Sequence, residues 1–460
     1  MSRALRSGIG ITVSLAFLSV TPLLYGGGWI SLGSADDLAI DQPQVTFKFY
    51  QPGTSTYVGP PIPYADLGIV PTAVLDTGAN GILLGQDAYN NPGGTDHSPY
   101  QPATYLKNGV VTNVTYQEEG VAGSQALTVY QPYDLQVAGG SGLTITLPSV
   151  HAFGDPTLDL GGFAAVVGMP SMYGREVQMN LTSILDSSTM GITAGLQLGL
   201  PPSNGHRYSV PLTMLPYDYG TQNASVDPKP TYAPLPEINT VTLTRGSANQ
   251  SGPMLLDTGA QTSIISQATA AALGIDYTHS VSQGGDVIDN LDVGGVGGTT
   301  SMPVVMLDHV TLPTAEGVNL VYDNVAVGVL DIPGITGVFG MNMLTNGYLS
   351  ASFGGTSTAD LLNDPTFLAF LIQYGWLPAG STQADLAALL GQLGDTGSAI
   401  PSFDAVNLDF RNASSGSAMM YLDLNPSVDN VMIPEPATFS VLLLGGIALL
   451  AGPGRRSVRR

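Results

Sequence analysis

The tetrapeptide Asp-Thr-Gly-Ala occurs twice in this 460-residue chain, at Asp76–Ala79 and at Asp257–Ala260. Each copy follows an apolar run, Ala73-Val74-Leu75 or Met254-Leu255-Leu256, and leads into another, Ile82-Leu83-Leu84 or Ser263-Ile264-Ile265. That framing predicts a short carboxylate loop between two buried strands, built once in each half of the chain. Two halves facing each other bring two carboxylates together, and such a pair can do general acid–base chemistry on water. A pair of closing glycines strengthens the repeat. Ala164-Ala165-Val166-Val167-Gly168 ends the first half and Val338-Phe339-Gly340 the second, at similar distances from their aspartates. Context matters more than the letters, since Asp and Gly both favour turns. A third copy, Asp395-Thr396-Gly397-Ser398, follows the helical Leu389–Leu393, has no framing strands and reads as a loop.

The rest of the chain favours β structure. Gly (58) and Pro (33) punctuate short stretches rich in Val, Thr, Ile, Leu and Tyr, a mix suited to strands and turns. Strands are expected at Val45–Tyr50, Leu143–Leu147, Thr240–Thr244, Val304–Leu307, Ala405–Phe410 and Met419–Leu424, with a short helix at Gln267–Leu273. Val110–Tyr116 and Ala126–Tyr130 flank Gln117–Gly123 as a hairpin with a flexible tip. Prolines crowd residues 201–239, which read as a semi-rigid connector. Leucines at helical spacing in 357–393 predict a helical insertion. The domain plan is therefore a signal segment 1–35, a first lobe 36–200, the connector 201–239, a second lobe 240–430 and a tail 431–460.

A net charge of −22, with 35 acidic residues against 13 basic, excludes a nucleic-acid partner. Zero cysteines remove disulfides, thiolate metal sites and cysteine nucleophiles. Arg3 and Arg6, the apolar Ile9–Leu24 and the small Gly33-Ser34-Ala35 form the pattern of a secretory signal. At the other end, Pro434-Glu435-Pro436 precedes the apolar Phe439–Ala451 and then Arg455, Arg456, Arg459 and Arg460. This arrangement resembles the PEP-CTERM sorting signal of Gram-negative bacteria. The resemblance implies transient membrane anchoring through 439–451, an exosortase-type processing partner, and delivery to the cell surface or an exopolysaccharide matrix.

Two framed Asp-Thr-Gly loops, each closed by two apolar residues and Gly, resemble the pepsin-like (bilobal) aspartic proteases. Val338-Phe339-Gly340-Met341-Asn342-Met343-Leu344 also looks like the closing stretch of the retroviral-type enzymes. The resemblance spans residues 40 to 355 and implies an all-β, two-lobed fold with the helical insertion in the second lobe. It implies Asp76 and Asp257 as a catalytic dyad, Thr77 and Thr258 reaching across to the opposite loop, and Gly78 and Gly259 admitting backbone beside the carboxylates. Tyr116 matches the flap tyrosine, although Gln117-Glu118-Glu119-Gly120 lacks the usual Gly-rich run beside it. Ala79 and Ala260 stand where pepsin-like enzymes carry Ser or Thr. Without that hydroxyl the dyad should hold its proton to higher pH.

Other features carry less chemistry. Val293–Gly298 is Gly-rich but has no following helix and no nearby Lys, so it reads as a flexible hairpin and not a phosphate cradle. His97, His151, His206, His279 and His309 lack metal-ligand spacing. Asp286, Asp289 and Asp292 read as an acidic loop in preference to a calcium site. The sequence thus points to a monomeric, exported aspartic endopeptidase acting on polypeptide, with no cofactor and no metal. Its rivals are an inactive binding protein that keeps the two lobes, or a structural matrix protein.

Overall fold

Period-two patterning makes the strand Gln44–Tyr50. Val45, Phe47 and Phe49 point inward from the strand Gln44–Tyr50 while their neighbours stay half-exposed, as a one-sided sheet requires. The computed structural model describes residues 28–36, 42–61, 71–89, 99–139, 143–160, 163–181, 193–197, 200–216, 219–345, 368, 372, 380–385 and 402–428. Strand is the dominant regular structure among these residues, and the fold is all-β and two-lobed. Among them the longest helix is Gln267–Ala272, started by Ser266, whose hydroxyl accepts from the Thr269 N–H at 3.1 Å.

Each lobe repeats one device. In the first, Thr72–Leu75 runs into the Asp76 loop and Ile82–Leu84 runs out of it. Ala165–Val167 inserts between them, parallel to the former (Val166 beside Val74) and antiparallel to the latter (Val166 beside Leu83). In the second, Gly337–Phe339 inserts in the same way between Ala248–Leu256 and Ser263–Ile265. The inserted strands are fully buried. This is why they read as continuous apolar runs with no alternation.

A six-stranded antiparallel sheet joins the lobes. Its order is Thr193–Gln197, Glu176–Asn180, Phe403–Asp409, Ser417–Leu424, Arg207–Leu215 and Leu235–Arg245. Arg207 forms a two-pronged ion pair with Asp423 across two of these strands, at 2.6 and 2.8 Å. The segment expected to be a connector is therefore partly sheet. Pro211 is accommodated because it pairs only with Met419, and pairing to Leu235–Arg245 begins at Leu212, so its missing N–H interrupts no ladder on that side.

Two further expectations change. The strand Trp29–Ala35 lies parallel to Asn319–Val329 in the second lobe, with Ile30, Leu32 and Ala35 buried. A signal ending at residue 35 would remove this strand, so the folded part starts earlier than the boundary drawn there. The hairpin pairing lies closer to its tip than expected, and the tip is shorter. Thr115–Gly120 pairs with Gly123–Val129, leaving Val121-Ala122 as the turn, and Thr104–Lys107 with Val110–Asn113 forms a separate hairpin. Residues 1–27, the third Asp-Thr-Gly copy and the tail from 429 lie outside the described residues. So does most of 357–393, where Leu368, Ile372 and 383–385 are helical. Among the described residues no helix is long and apolar enough to cross a membrane.

Ile30→Ala tests the strand Trp29–Ala35. It should lower stability by about 3 kcal/mol through the cavity it leaves, read as a lower denaturant midpoint. An unchanged midpoint would remove this strand from the folded sheet.

Candidate active site

The loops Asp76–Ala79 and Asp257–Ala260 meet face to face, and two threonines hold them. The Thr77 hydroxyl donates to the Leu256 carbonyl at 2.6 Å and accepts the Thr258 N–H at 3.1 Å. The Thr258 hydroxyl donates to the Leu75 carbonyl at 2.7 Å and accepts the Thr77 N–H at 3.1 Å. Both side chains are buried. Each hydroxyl thus satisfies one carbonyl and one N–H of the opposite strand–loop junction, groups that would otherwise be buried without partners.

The glycines follow from this closeness. A Cβ on Gly78 would lie 2.3 Å from the Asp257 carboxyl carbon, and one on Gly259 would lie 2.4 Å from that of Asp76. Each carboxylate therefore stacks on the other loop's glycine. Oδ1 of Asp76 accepts the N–H groups of Gly78 (2.7 Å) and Ala79 (3.2 Å). Oδ1 of Asp257 accepts those of Gly259 (2.8 Å) and Ala260 (3.0 Å). These bonds fix both carboxyl planes. The alanines contribute backbone alone, with no hydroxyl to steady a charge.

The closing glycines fit as tightly. A Cβ on Gly168 would meet the carbonyl oxygens of Ala79 and Gly81 at 2.3 Å, and one on Gly340 would meet that of Thr262 at 2.6 Å. The next residues, Met169 and Met341, donate N–H bonds of 2.8 Å to Ala79 and Ala260.

Burial pushes the Asp76 carboxyl well above the usual carboxylate range, and both the Asp257 charge and a hydrogen bond to it act in the same direction. Burial also raises Asp257, against the lowering effect of its hydrogen bonds. Two carboxylates this close do not both ionise easily and share a proton, so they titrate as a pair.

Tyr116 sits on the first hairpin, 1% exposed, with its ring packed 5.5 Å from Tyr232 and 6.0 Å from Phe153. It anchors the hairpin base in an aromatic cluster. Several supports were not found from sequence. The Gln42 side-chain amide donates to the Gly259 carbonyl, with no motif to mark it. The buried Asn342 accepts from both the N–H and the hydroxyl of Ser263, and that hydroxyl in turn accepts the Gly340 N–H. The unlike residue at the matching place in the first lobe, Pro170, was the available hint. Tyr232 donates to the Glu118 carboxylate at 2.7 Å, and burial pushes that carboxyl up to about 7. Among the described residues no group of His, Asp and Glu is arranged to hold a metal, and Asp286 is engaged by Arg245.

Residues 247–346 match the gag-polyprotein putative aspartyl protease family. That stretch, less than a quarter of the chain, contains the second carboxylate loop and its closing glycine. The crystal structure of basic 7S globulin from soybean is 11% identical, covering 66% of this chain and 91% of that one at a TM-score of 0.32. The crystal structure of an aspartic proteinase from Irpex lacteus is 14% identical, covering 60% of this chain and 85% of that one, also at 0.32. At these scores neither structure lends an argument about function. No curated protein matches the chain. With the family match in the second lobe and the same half-site built in both, the fold is aspartic-protease-like.

Thr77→Val keeps the shape but strands the Leu256 carbonyl and the Thr258 N–H. It should cost roughly 3 kcal/mol. Combined with Thr258→Val the total should fall short of the sum, because both sets of bonds hold the same two loops together. Strict additivity in denaturant titrations would show that the two loops do not depend on each other.

Proposed function

We propose that the protein is an aspartic endopeptidase that cleaves extended polypeptide with water activated between Asp76 and Asp257. The observation that carries this reading is the facing pair of carboxylates, each raised by burial and each held by two N–H groups on one oxygen. The ionised member of the pair takes a proton from water as its oxygen bonds to the scissile carbonyl carbon. The protonated member gives its proton to the carbonyl oxygen. Collapse of the resulting gem-diol breaks the C–N bond as the leaving nitrogen takes a proton from the dyad and one gem-diol hydroxyl returns a proton to it, restoring the singly protonated pair. The pair as a whole holds the proton, so neither aspartate is assigned one role. The same reading extends to export under the N-terminal signal and surface delivery as a monomer through the exosortase-processed tail, with the apolar 439–451 as a transient anchor.

Casein or peptide-library hydrolysis tests it. Asp76→Asn and Asp257→Asn should each reduce the rate about a thousandfold or more, and pepstatin should inhibit. A folded, pure protein with no hydrolysis from about pH 3 to pH 8 would favour a binding protein built on the same two lobes.

The pH profile gives a second test. Activity requires one proton on the pair, so it is lost as pH rises through the upper pKa and as pH falls through the lower. Raised carboxyls move both limbs upward, placing the optimum in the mildly acidic range. Ala79→Ser with Ala260→Ser adds a hydroxyl that favours the charged form and should move the profile to lower pH. A wild-type optimum near about pH 2 would contradict the assignment.

A further inference from the structure

Each lobe raises one hairpin beside its own carboxylate loop. The first, Thr115–Gly120 with Gly123–Val129, packs on a cluster that reaches Ala79. The second, Asp289–Gly295 with the start of Gly298–Pro313, packs on a cluster that reaches Ala260. Their tips touch. A Cβ on Gly120 would lie 2.6 Å from the Val296 carbonyl oxygen, and one on Gly297 would lie 2.7 Å from the Gly123 backbone. Apart from the bridging sheet, the lobes therefore meet at the carboxylate loops and at the hairpin tips, and a chain reaching the carboxylates has to pass between these two contacts.

The two hairpins are not held alike. Asn223, 1% exposed, treats the outer edge of the first as a neighbouring strand would. Its Oδ1 accepts the Gln117 N–H at 2.9 Å, and its Nδ2 donates to the Gln117 carbonyl at 2.8 Å and to the Tyr219 carbonyl at 3.0 Å. Tyr232 binds Glu118 and Gln222 binds Glu119 from the same segment. By contrast, no hydrogen bond from outside the second hairpin reaches its residues 289–301 among the described residues. Asp289–Gly295 pairs with Gly298–Val304 alone. Its tip carries Gly294, Gly295, Gly297 and Gly298, the last two at φ of +92° and +111°. Leu291 and Val293 give its base an apolar footing, a contact with no fixed direction.

Resting on the endopeptidase reading above, we infer that Asn223 is a positioning residue that fixes the first hairpin, and that the Gly-rich second hairpin swings aside to admit substrate. The segment between the lobes thereby sets which side of the cleft opens.

Hydrogen exchange on the full chain reads this without any activity. Amides of 289–301 should exchange roughly tenfold or more faster than those of 115–120. Asn223→Ala should speed exchange at 115–120 and leave 289–301 unchanged. Equal protection of the two hairpins in the unaltered protein would overturn the inference, whether or not the variant folds. Because the chain has no cysteine, Val121→Cys with Gly295→Cys makes the sole disulfide. A Cβ on Gly295 would lie 3.0 Å from Val121 Cγ2, within reach of such a bond. Hydrolysis of a long polypeptide should fall about tenfold or more on oxidation and return on reduction. Full activity in the oxidised variant would sink the gate. An inactive protein that keeps the exchange asymmetry would uphold the unequal hairpins and count against the enzyme reading alone.

Discussion

Everything at the centre of this protein depends on two hydroxyl groups. Thr77 and Thr258 each reach into the opposite loop and make one bond as donor and one as acceptor. Such an exchange is satisfied in one arrangement only, with the loops a bond length apart and related by a near two-fold. The remaining requirements follow from that distance. Glycine must come next, because any Cβ would strike the other lobe's carboxylate. The carboxylates are then forced into shared surroundings, where burial and mutual repulsion keep a proton between them. The closing glycines complete the set by letting a third strand slide between the two that carry each loop.

The half-sites were legible because they are local. Apolar run, Asp-Thr-Gly-Ala and apolar run define strand, loop and strand without distant information, and the steric need for Gly168 and Gly340 leaves a visible mark. On the same local ground the unframed Asp395 reads differently from Asp76 and Asp257. What stayed hidden depends on partners far along the chain. Trp29–Ala35 follows an apolar leader-like stretch, and nothing nearby shows that its partner is Asn319–Val329. Arg207–Leu215 lies among prolines and looks like a linker, yet its mate is Ser417–Leu424. Gln117–Gly120 is too polar to read as strand because its outer edge is covered by an asparagine side chain contributed from position 223.

The lobes share a plan at the loops and diverge around them. Position 170 is proline in the first lobe, whereas its counterpart Asn342 bonds Ser263 and the Ala326 carbonyl in the second. An aromatic cluster of Tyr116, Phe153, Tyr219 and Tyr232 supports one side, and a smaller aliphatic cluster around Met302 supports the other. The symmetry is strict where two groups must face each other and relaxed where each lobe meets its own surroundings. The bridging sheet is likewise polar where it matters for register, with Asp423 taking both prongs of Arg207 and the amide of Asn407.

That bridging sheet, together with Trp29–Ala35, also orders events in time. An early strand of the chain belongs to the second lobe, and the late strand Phe403–Asp409 covers Glu176–Asn180 of the first. In chain order, the partner of Glu176–Asn180 comes more than two hundred residues later, and the partner of the early strand comes later still after it. Each lobe is completed by a strand distant in sequence, and contacts of that kind are slow to form. The last described strands of the chain are thus the ones that complete its sheets.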